Sequence, residues 1–572
     1  CLQIVLQDVT NHLELQLFYT VFEECDVITR SARLINHSDA SVTLDRCLSA
    51  QLDLTEDYSV ITHFSGAWAR EMHREQISGK FVNASYTGTS SNRSNPFMIL
   101  GHKNTCETFG SCIGCNLIYS GNHYEALEKD SYGKLRFVSG INPQSFSWEL
   151  TPETHFDTPE AVFSYSSNGY GGLSRQLHSF VREHIVRGVW KRRPRPVLLN
   201  SWEACYFKID ERKLLQLAKA GAAVGIELFV MDDGWFSGRN DDTSSLGDWE
   251  PDPKKLPGGI VSLSKKIKAL GVDFGLWVEP EMISENSRLY QEHPNWAMMI
   301  PGHPHSEGRN QRLLDLCNPE VQQYVIDSMT KVFSSGEIRY VKWDMNRNFS
   351  DIYSPYLPAA KQGETAHRYV LGLYHIMDEL TTCFPEILFE GCSSGGNRFD
   401  LGILSYFPQI WASDNTDALC RTGIQNSYSY GYPLSVFTAH VSSCPNHQTL
   451  RITPLETRFQ VASFGILGYE CNLKDLSGSD LNAIREQIAL YKKWRDVFQF
   501  GTFYRGTENE DSNSETLSWT CVSPDGRRAV GVFFRRLTTP NQSHDWYRPV
   551  GLLPDVKYHF YGRNIKYNLK DF

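Results

Sequence analysis

"YVKWDMNR", Tyr340 to Arg347, is the stretch on which the reading of the fold turns. An apolar pair, Tyr340 and Val341, runs into Lys342, Trp343 and Asp344, and Asn346 and Arg347 follow directly. That is the pattern of a buried strand whose end carries chemistry. A carboxylate set among donors and an aromatic face suits a polar, uncharged substrate. "QIWASDNTDA", Gln409 to Ala418, repeats the pattern with Asp414. Acids at strand ends also serve in turns and as caps, and one such stretch alone does not separate the readings. Two carboxylates on separate strand ends are what glycoside hydrolysis requires, one as nucleophile and one as proton donor.

Working outward, short apolar runs alternate with helical periodicity from "PRPVLLNSWEA" (Pro194 to Ala204) onward. The strands read as 197–203, 227–233, 274–279, 339–344, 387–392, 409–414, 434–440 and 463–469. Eight strands alternating with helices are the count of a (β/α)₈ barrel. A helix is expected over 211–220 with Gly221 at its C-cap, and another over 261–270 followed by Gly271. Asn318-Pro319-Glu320 opens a third, with Asn as N-cap and Pro at the first helical position. "RLLDLCN" (Arg312 to Asn318) is a ninth strand candidate, assigned to an excursion between the third and fourth barrel strands. Residues 1 to 186 alternate apolar and polar between turn residues, as sandwich strands do. After Phe500 the chain returns to β, with Asp525-Gly526 as a hairpin turn. The expected organisation is thus multidomain: a β-sandwich domain over 1–186, a catalytic (β/α)₈ barrel over 187–505, and a small C-terminal β domain over 506–572. The first of these is read as truncated, since the chain opens in mid-strand without Met, and the small last domain is read as cut short.

A length of 572 residues allows two or three domains and a large core. The net charge of −10 argues against nucleic acid or an anionic membrane as partner. No stretch approaches the roughly 18 apolar residues of a membrane span. Fourteen cysteines include one CxxC, Cys112 and Cys115, near Cys106, but no second pair or His cluster completes a zinc site. Scattered reduced thiols are the reading, and with them a cytoplasmic location. Five sequons, at Asn36, Asn83, Asn92, Asn348 and Asn541, are discounted. Asn348 lies four residues after Asp344, where a glycan would block the site.

The strand ends collect the chemistry: Trp202 and Glu203, Asp232-Asp233, Trp277 and Glu279, Lys342 and Asp344, Cys392-Ser393-Ser394, and Asp414. In a barrel those ends form one functional face. Asp232-Asp233 reads as a metal pair, an N-cap or an acceptor of two sugar hydroxyls. Without a His or third carboxylate at ligand spacing, hydroxyl recognition is favoured and no cofactor is expected. Lys342 points the same way as Asp344 on a strand and would keep it ionised. Asp414 needs a raised pKa to act as an acid, from burial and from the charge of Asp344. Asp417 is its rival for that role. A catalytic Cys392 is the competing reading, disfavoured because no suitably placed His follows.

The ordered motifs "VMDDGWF", "GDW…KLPGG", "GLWVEPEM", "GRNQRLLDLCNP", "YVKWDMNR" and "CSSGGNRFD…WASDNTDA" resemble glycoside hydrolase family 36, the microbial α-galactosidases. The likeness runs through "SGAWARE" (Ser65 to Glu71) and "IYSGN" (Ile118 to Asn122) into the N-terminal domain. It implies a retaining enzyme that removes terminal α-linked galactose from oligosaccharides such as melibiose and raffinose, with Asp344 as nucleophile and Asp414 as acid/base. It also implies galactose contacts from Asp232, Asp233, Trp277, Arg309, Lys342, Cys392, Trp202, Asn346 and Ser394. The Cys-turn "CSSGGN" is poorer in Gly than is usual in the family, a departure that bears on Ser394. A homo-oligomer, up to a tetramer, is implied as well. The alternatives are a galactosyl transferase of the raffinose-synthase type, a non-catalytic sugar-binding protein, and a metal-dependent isomerase on the same barrel.

Overall fold

The computed structural model describes residues 1–506, 515–541 and 544–562. Eight parallel strands close into a barrel: β1 (Leu198–Asn200), β2 (Leu228–Met231), β3 (Asp273–Val278), β4 (Ile338–Trp343), β5 (Leu388–Gly391), β6 (Gln409–Trp411), β7 (Phe437–Ser442) and β8 (Ile466–Glu470), with β1 pairing β8. Alternation along these strands sorts the side chains. Leu198, Leu228, Val230, Tyr340 and Leu388 pack as a cluster inside the barrel. Leu199, Phe229, Met231, Leu276, Val341 and Phe389 pack outward in the main core. Lys342 shares the parity of Tyr340 and so points inward at the barrel mouth, whereas Trp343 faces the surrounding shell.

The barrel was legible, with differences at its edges. All eight strands are shorter or shifted relative to expectation, because strand pairing stops where the chain turns into the loops. Leu434–Val436 is a 3₁₀ turn ahead of β7. Trp202 and Glu203 are not a strand end but lie on a short helix, Trp202–Cys205. The helix expected to end before Gly221 runs from Glu211 to Val224, and its left-handed C-cap is Gly225 at φ 98°. Gly221 is interior to it because the helix packs closely on β1: a Cβ there would lie 2.9 Å from Leu199 Cδ2. The third helix, Pro319–Phe333, starts as expected, with the Asn318 side chain accepting from Glu320 N at 2.9 Å. Arg312–Leu313 forms a small antiparallel pair with Met282–Ile283 in the excursion between β3 and β4.

The N-terminal region holds a nine-stranded and a four-stranded sheet, both antiparallel. Ile61, Met98, Leu100 and Cys115 from the larger sheet share a core with Leu127, Leu135 and Phe137 from the smaller. The end of this region departs from the all-β reading: Gly169–Phe180 is a helix, followed by a π-helical turn over Val181–Ile185. Tyr170, Leu173, Leu177 and Phe180 recur at helical spacing and are buried. Beyond the barrel, Thr502–Arg505, Thr516–Val522 and Ala529–Arg535 form a three-stranded sheet, and Gly526 turns the expected hairpin. Residues 507–514, 542–543 and 563–572 of the expected C-terminal domain lie outside the described residues, as do the last two positions of the Asn541 sequon. No helix among the described residues is long and apolar enough to cross a membrane.

The sandwich docks on the mouth side of the barrel through polar and aromatic contacts. Ser90 and Ser120 hydroxyls donate to the two oxygens of Asp400 at 2.6 and 2.7 Å. Phe349 N donates to Thr87 O at 3.0 Å, and the Phe349 ring packs edge-on to Tyr369 at 4.6 Å. Gly88, at φ 81°, sits against that ring, and a Cβ there would overlap Phe349 Cγ. Gly79 has a similar backbone (φ 101°) with nothing within 4 Å of its would-be Cβ. Gly79→Ala is expected to cost about 1 kcal/mol for the left-handed backbone alone, and Gly88→Ala about 1–3 kcal/mol more for the overpacked ring. Parallel thermal melts read the difference, and equal losses would show that the Phe349 contact does not hold the domains together.

Candidate active site

One cavity of about 550 Å³ opens at the C-terminal ends of the barrel strands. The eleven residues that the sequence analysis gave catalytic or sugar-contact roles all line it: Trp202, Asp232, Asp233, Trp277, Arg309, Lys342, Asp344, Asn346, Cys392, Ser394 and Asp414. They come from β1 to β6 and the loops that follow, so the closure of the barrel is what brings them together.

Asp344 directly follows β4, and its backbone N–H donates to Val278 O at 2.8 Å, which ties it to β3. Its Oδ2 accepts from Trp277 Nε1 at 3.1 Å and Asn346 Nδ2 at 2.8 Å. Its Oδ1 accepts from the backbone N–H of Met345 at 2.8 Å and of Ser394 at 3.3 Å. Burial pushes this carboxyl up, but the Lys342 charge, the neighbouring Cys392 thiol and the bonds from Trp277 and Asn346 outweigh it and hold Asp344 below the usual aspartate value.

Asp414 lies three residues beyond the end of β6, and its two oxygens each accept from an indole: Oδ1 from Trp411 at 3.0 Å and Oδ2 from Trp68 at 2.8 Å. Here burial, reinforced by the negative charge of Asp344, raises the carboxyl above the ordinary aspartate range despite Trp68, Lys342 and Trp411. Its rival Asp417 is not on the cavity wall. It caps the helix Ala418–Tyr428, accepting from Leu419 N and Cys420 N, and it pairs with Arg451 at 2.6 Å. Burial pushes Asp417 up too, but the bonds from Thr449, Cys420 and Arg451 hold it low.

Asp232 and Asp233 are not alike. Asp232 Oδ2 accepts from Asn200 Nδ2 at 2.7 Å and from Lys342 Nζ at 3.1 Å. Asp233 is held by Arg239, whose Nε and Nη2 reach its two oxygens at 3.1 and 2.8 Å. Burial raises Asp233 while Arg239 opposes it. Arg309 Nη1 donates to Asn346 Oδ1 at 2.8 Å and to Ser394 Oγ at 3.3 Å. Both Arg309 (φ 50°) and Ser394 (φ 47°) have the left-handed backbone uncommon outside Gly, so tertiary contacts hold this rim in place.

Several wall residues escaped the sequence reading. Glu470 ends β8, and His447 stands 3.4 Å from Glu203. Asn92, Arg93 and Trp68 come from the N-terminal domain. The signal for Trp68 was present in "SGAWARE", which reads as a hairpin turn, but nothing local says that its tip reaches the barrel. Glu279, grouped with the strand-end chemistry, is buried behind the wall and accepts from Gln311 Nε2 at 3.1 Å and from Asn346 N. Asn348, the sequon closest to the site, lines the cavity and accepts from Asn397 Nδ2 at 2.7 Å. Among the described residues, the His, Cys and acid groups placed to hold a metal are Glu24, Cys25 and His184, none of which lines this cavity. Cys112 and Cys115 lie within one sandwich strand, and burial lifts the Cys112 thiol to about 12.

Comparison with known proteins places this geometry. The Melibiase family model matches residues 155–501, and the models for the glycosyl hydrolase family 36 N-terminal and C-terminal domains match 1–151 and 516–569. The chain is 45% identical to alpha-galactosidase AgaA of Geobacillus stearothermophilus, across 99% of this chain and 78% of that protein. It is 44% identical to alpha-galactosidase Mel36A of Lactobacillus acidophilus, across 97% and 76%. The crystal structure of a doubly substituted variant of AgaA in complex with raffinose superposes with a TM-score of 0.95 at 45% identity, covering 96% of this chain and 77% of that one. The chain belongs to glycoside hydrolase family 36.

Proposed function

We propose that this chain is a retaining α-galactosidase that removes terminal α-linked galactose from oligosaccharides of the melibiose and raffinose type. The observation that carries the reading is the opposed bias of two carboxyls in one cavity, Asp344 held low and Asp414 held high. Asp344, charged and gripped by four donors, is the nucleophile on the anomeric carbon. Asp414 gives its proton to the leaving oxygen as the glycosidic bond breaks. In the second step Asp414 takes a proton from water, whose oxygen displaces Asp344 from the sugar. Asp232, Lys342, Arg309, Asn346 and Ser394 present donors and acceptors to hydroxyls, and Trp277 and Trp202 present aromatic faces. Cys392 supports Asp344, and Asp233, locked to Arg239, presents an oriented carboxylate. The two steps as written call on no metal or cofactor.

The same proposal includes the division of the chain at 1–186, 187–505 and 506–572, and assembly as a homo-oligomer. It also includes work in a reducing, cytoplasmic compartment, which fourteen unpaired thiols suit. The direct assay is release of nitrophenol from an aryl α-galactoside, set beside the β-galactoside and the α-glucoside. An NMR time course should show α-galactose as the first product; β-galactose appearing first would point to inversion.

The two roles respond differently to substitution. Asp344→Asn should abolish turnover on every substrate while sugar binding persists. Asp414→Asn should lose about 10²–10⁴-fold on raffinose, the usual worth of general acid catalysis, but far less in glycosylation by an activated aryl galactoside. Equal losses on both substrates would leave Asp414 without the acid role. The pH profile of kcat/KM should be a bell. Its acid limb reports protonation of Asp344, depressed below the usual 3.8, and its alkaline limb reports loss of the Asp414 proton, raised above 3.8. Because the carboxyls interact, the limbs belong to the pair. The Asp414→Asn variant should keep the acid limb and lose the alkaline one.

A further inference from the structure

The hairpin joining Val60–Ala67 to Arg70–Ser78 in the sandwich domain ends in Trp68 and Ala69, and its tip is clamped to the barrel around Asp414. Asn415 Nδ2 donates to Ala69 O at 2.9 Å. Ala69 N donates to Glu71 Oε1 at 3.2 Å, and the Ser413 hydroxyl donates to Glu71 Oε2. Ala69 itself takes φ 58°, a conformation that these bonds sustain. Between these anchors Trp68 Nε1 reaches Asp414 Oδ2.

An indole N–H can only donate. With one on each oxygen, both indoles bond most strongly to the charged form of Asp414, against the burial that favours its protonated form. To act as an acid it must carry a proton on one oxygen and aim it at the glycosidic oxygen; a protonated oxygen keeps a lone pair but accepts more weakly, so the indole bond to that oxygen loosens. One indole bond is therefore weakened in the acid form, and which indole can leave depends on its packing. Trp411 cannot: it is 3% exposed, packed between the His440 ring at 4.4 Å and the Arg421 guanidinium at 4.5 Å. Trp68 can, being 59% exposed at a hairpin tip on the cavity rim. We propose that Trp68 is a positioning residue for the acid/base: its N–H holds Asp414 Oδ2 while that carboxyl is charged, and surrenders the oxygen to the leaving group while it is protonated. This rests on the assignment of Asp414 as acid/base. Trp68 then alternates with the two chemical steps. It is off Oδ2 as the proton passes to the departing oxygen, and on it as Asp414 waits, charged, to take a proton from water.

The charged and titratable groups that bear on Asp414 come from every element around it: Lys342 and Asp344 from β4 and its end, Cys392 after β5, and Arg421 from the helix Ala418–Tyr428. Glu470 of β8, His447 after β7 and Glu71 of the hairpin complete the set. Trp68→Phe alters none of these charges. It keeps the ring and removes the donor to the charged form, so the alkaline limb of kcat/KM for raffinose, measured on the full chain, should move up by about half to one pH unit. Trp68→Gln, which restores an N–H donor, should bring the limb back toward the parent position. An unshifted limb in Trp68→Phe, or the same shift in both variants, would overturn the proposal while leaving the acid/base assignment intact. Asp414→Asn retaining the alkaline limb would remove the assignment itself, and the role of Trp68 with it.

Discussion

Two carboxyls desolvated in one cavity cannot both be charged cheaply, and much of this molecule is arranged around keeping them apart in protonation. Lys342 supplies the asymmetry. Its own burial works against its charge, yet Asp232 and the other acids around it keep Lys342 strongly protonated, and that charge weighs more on Asp344 than any of the side-chain bonds to it. The donors follow the same division. Asp344 gathers four, from three different strand ends, whereas Asp414 has two indoles, one of them exposed. A nucleophile is thus fixed in place, and an acid/base is left with one exchangeable partner.

That arrangement needs both the barrel and the sandwich domain. Closing β1 to β8 brings residues more than two hundred positions apart to one mouth, but the barrel alone does not complete the wall. The loop through Ser90 and Asn92 bonds to Asp400 and Asn397, and the hairpin tip bonds to Asn415 and Ser413. These contacts cross from the sandwich to the loops after β5 and β6, which carry Cys392, Ser394 and Asp414. Domain docking is therefore part of the geometry of the site. Strain confined to a loop such as that of Gly88 and Phe349 would be transmitted to Asn348 and Asn346, which adjoin it in sequence and line the cavity.

What was legible in the sequence was what local pattern encodes. Tyr340 to Asp344 and Gln409 to Asp414 announce strand ends by apolar runs breaking into polar residues. The barrel rule then gathers such ends on one face, so the cavity residues emerged from motifs scattered over more than two hundred positions. Pairings between distant segments did not emerge. Trp68 meets Asp414 across 346 positions, and nothing near either residue encodes that. Asp232 and Asp233 look equivalent in "VMDDGWF", yet one faces Lys342 while the other is locked to Arg239, six residues on. Asp417 looks as suitable an acid as Asp414 until the helix after it claims its Oδ1 as a cap and Thr449 takes its Oδ2. The helix Gly169–Phe180 was missed for a different reason. Its periodicity is plain, but it follows a long run of strands and carries Gly169, Gly171 and Gly172 in its first turn, where propensity argues for a loop.

The scaffolding beneath Asp344 shows why so polar a site can still be rigid. Glu281, in the excursion after β3, accepts from Trp343 Nε1 at 2.8 Å, Tyr369 Oη at 2.9 Å, and Arg398 Nη2 and Nη1 at 2.7 and 2.9 Å. Glu281 is fully buried and Arg398 is 4% exposed, so this ion pair lies far from solvent. Burying two charges contributes little net stability, because desolvation offsets attraction, but removing either partner would strand the other at a cost of about 3–5 kcal/mol. The worth of the pair lies in position. It joins the residue before Asp344 on β4 to the loop after β5 that delivers Cys392 and Ser394, and to the long helix Thr365–Cys383 through Tyr369. Each bond has direction, so the two segments that present donors to Asp344 cannot slide past one another without breaking several at once. An apolar core of the same volume would fill the space as well but would leave their relative position free, and the four donors around Asp344 depend on that position being fixed.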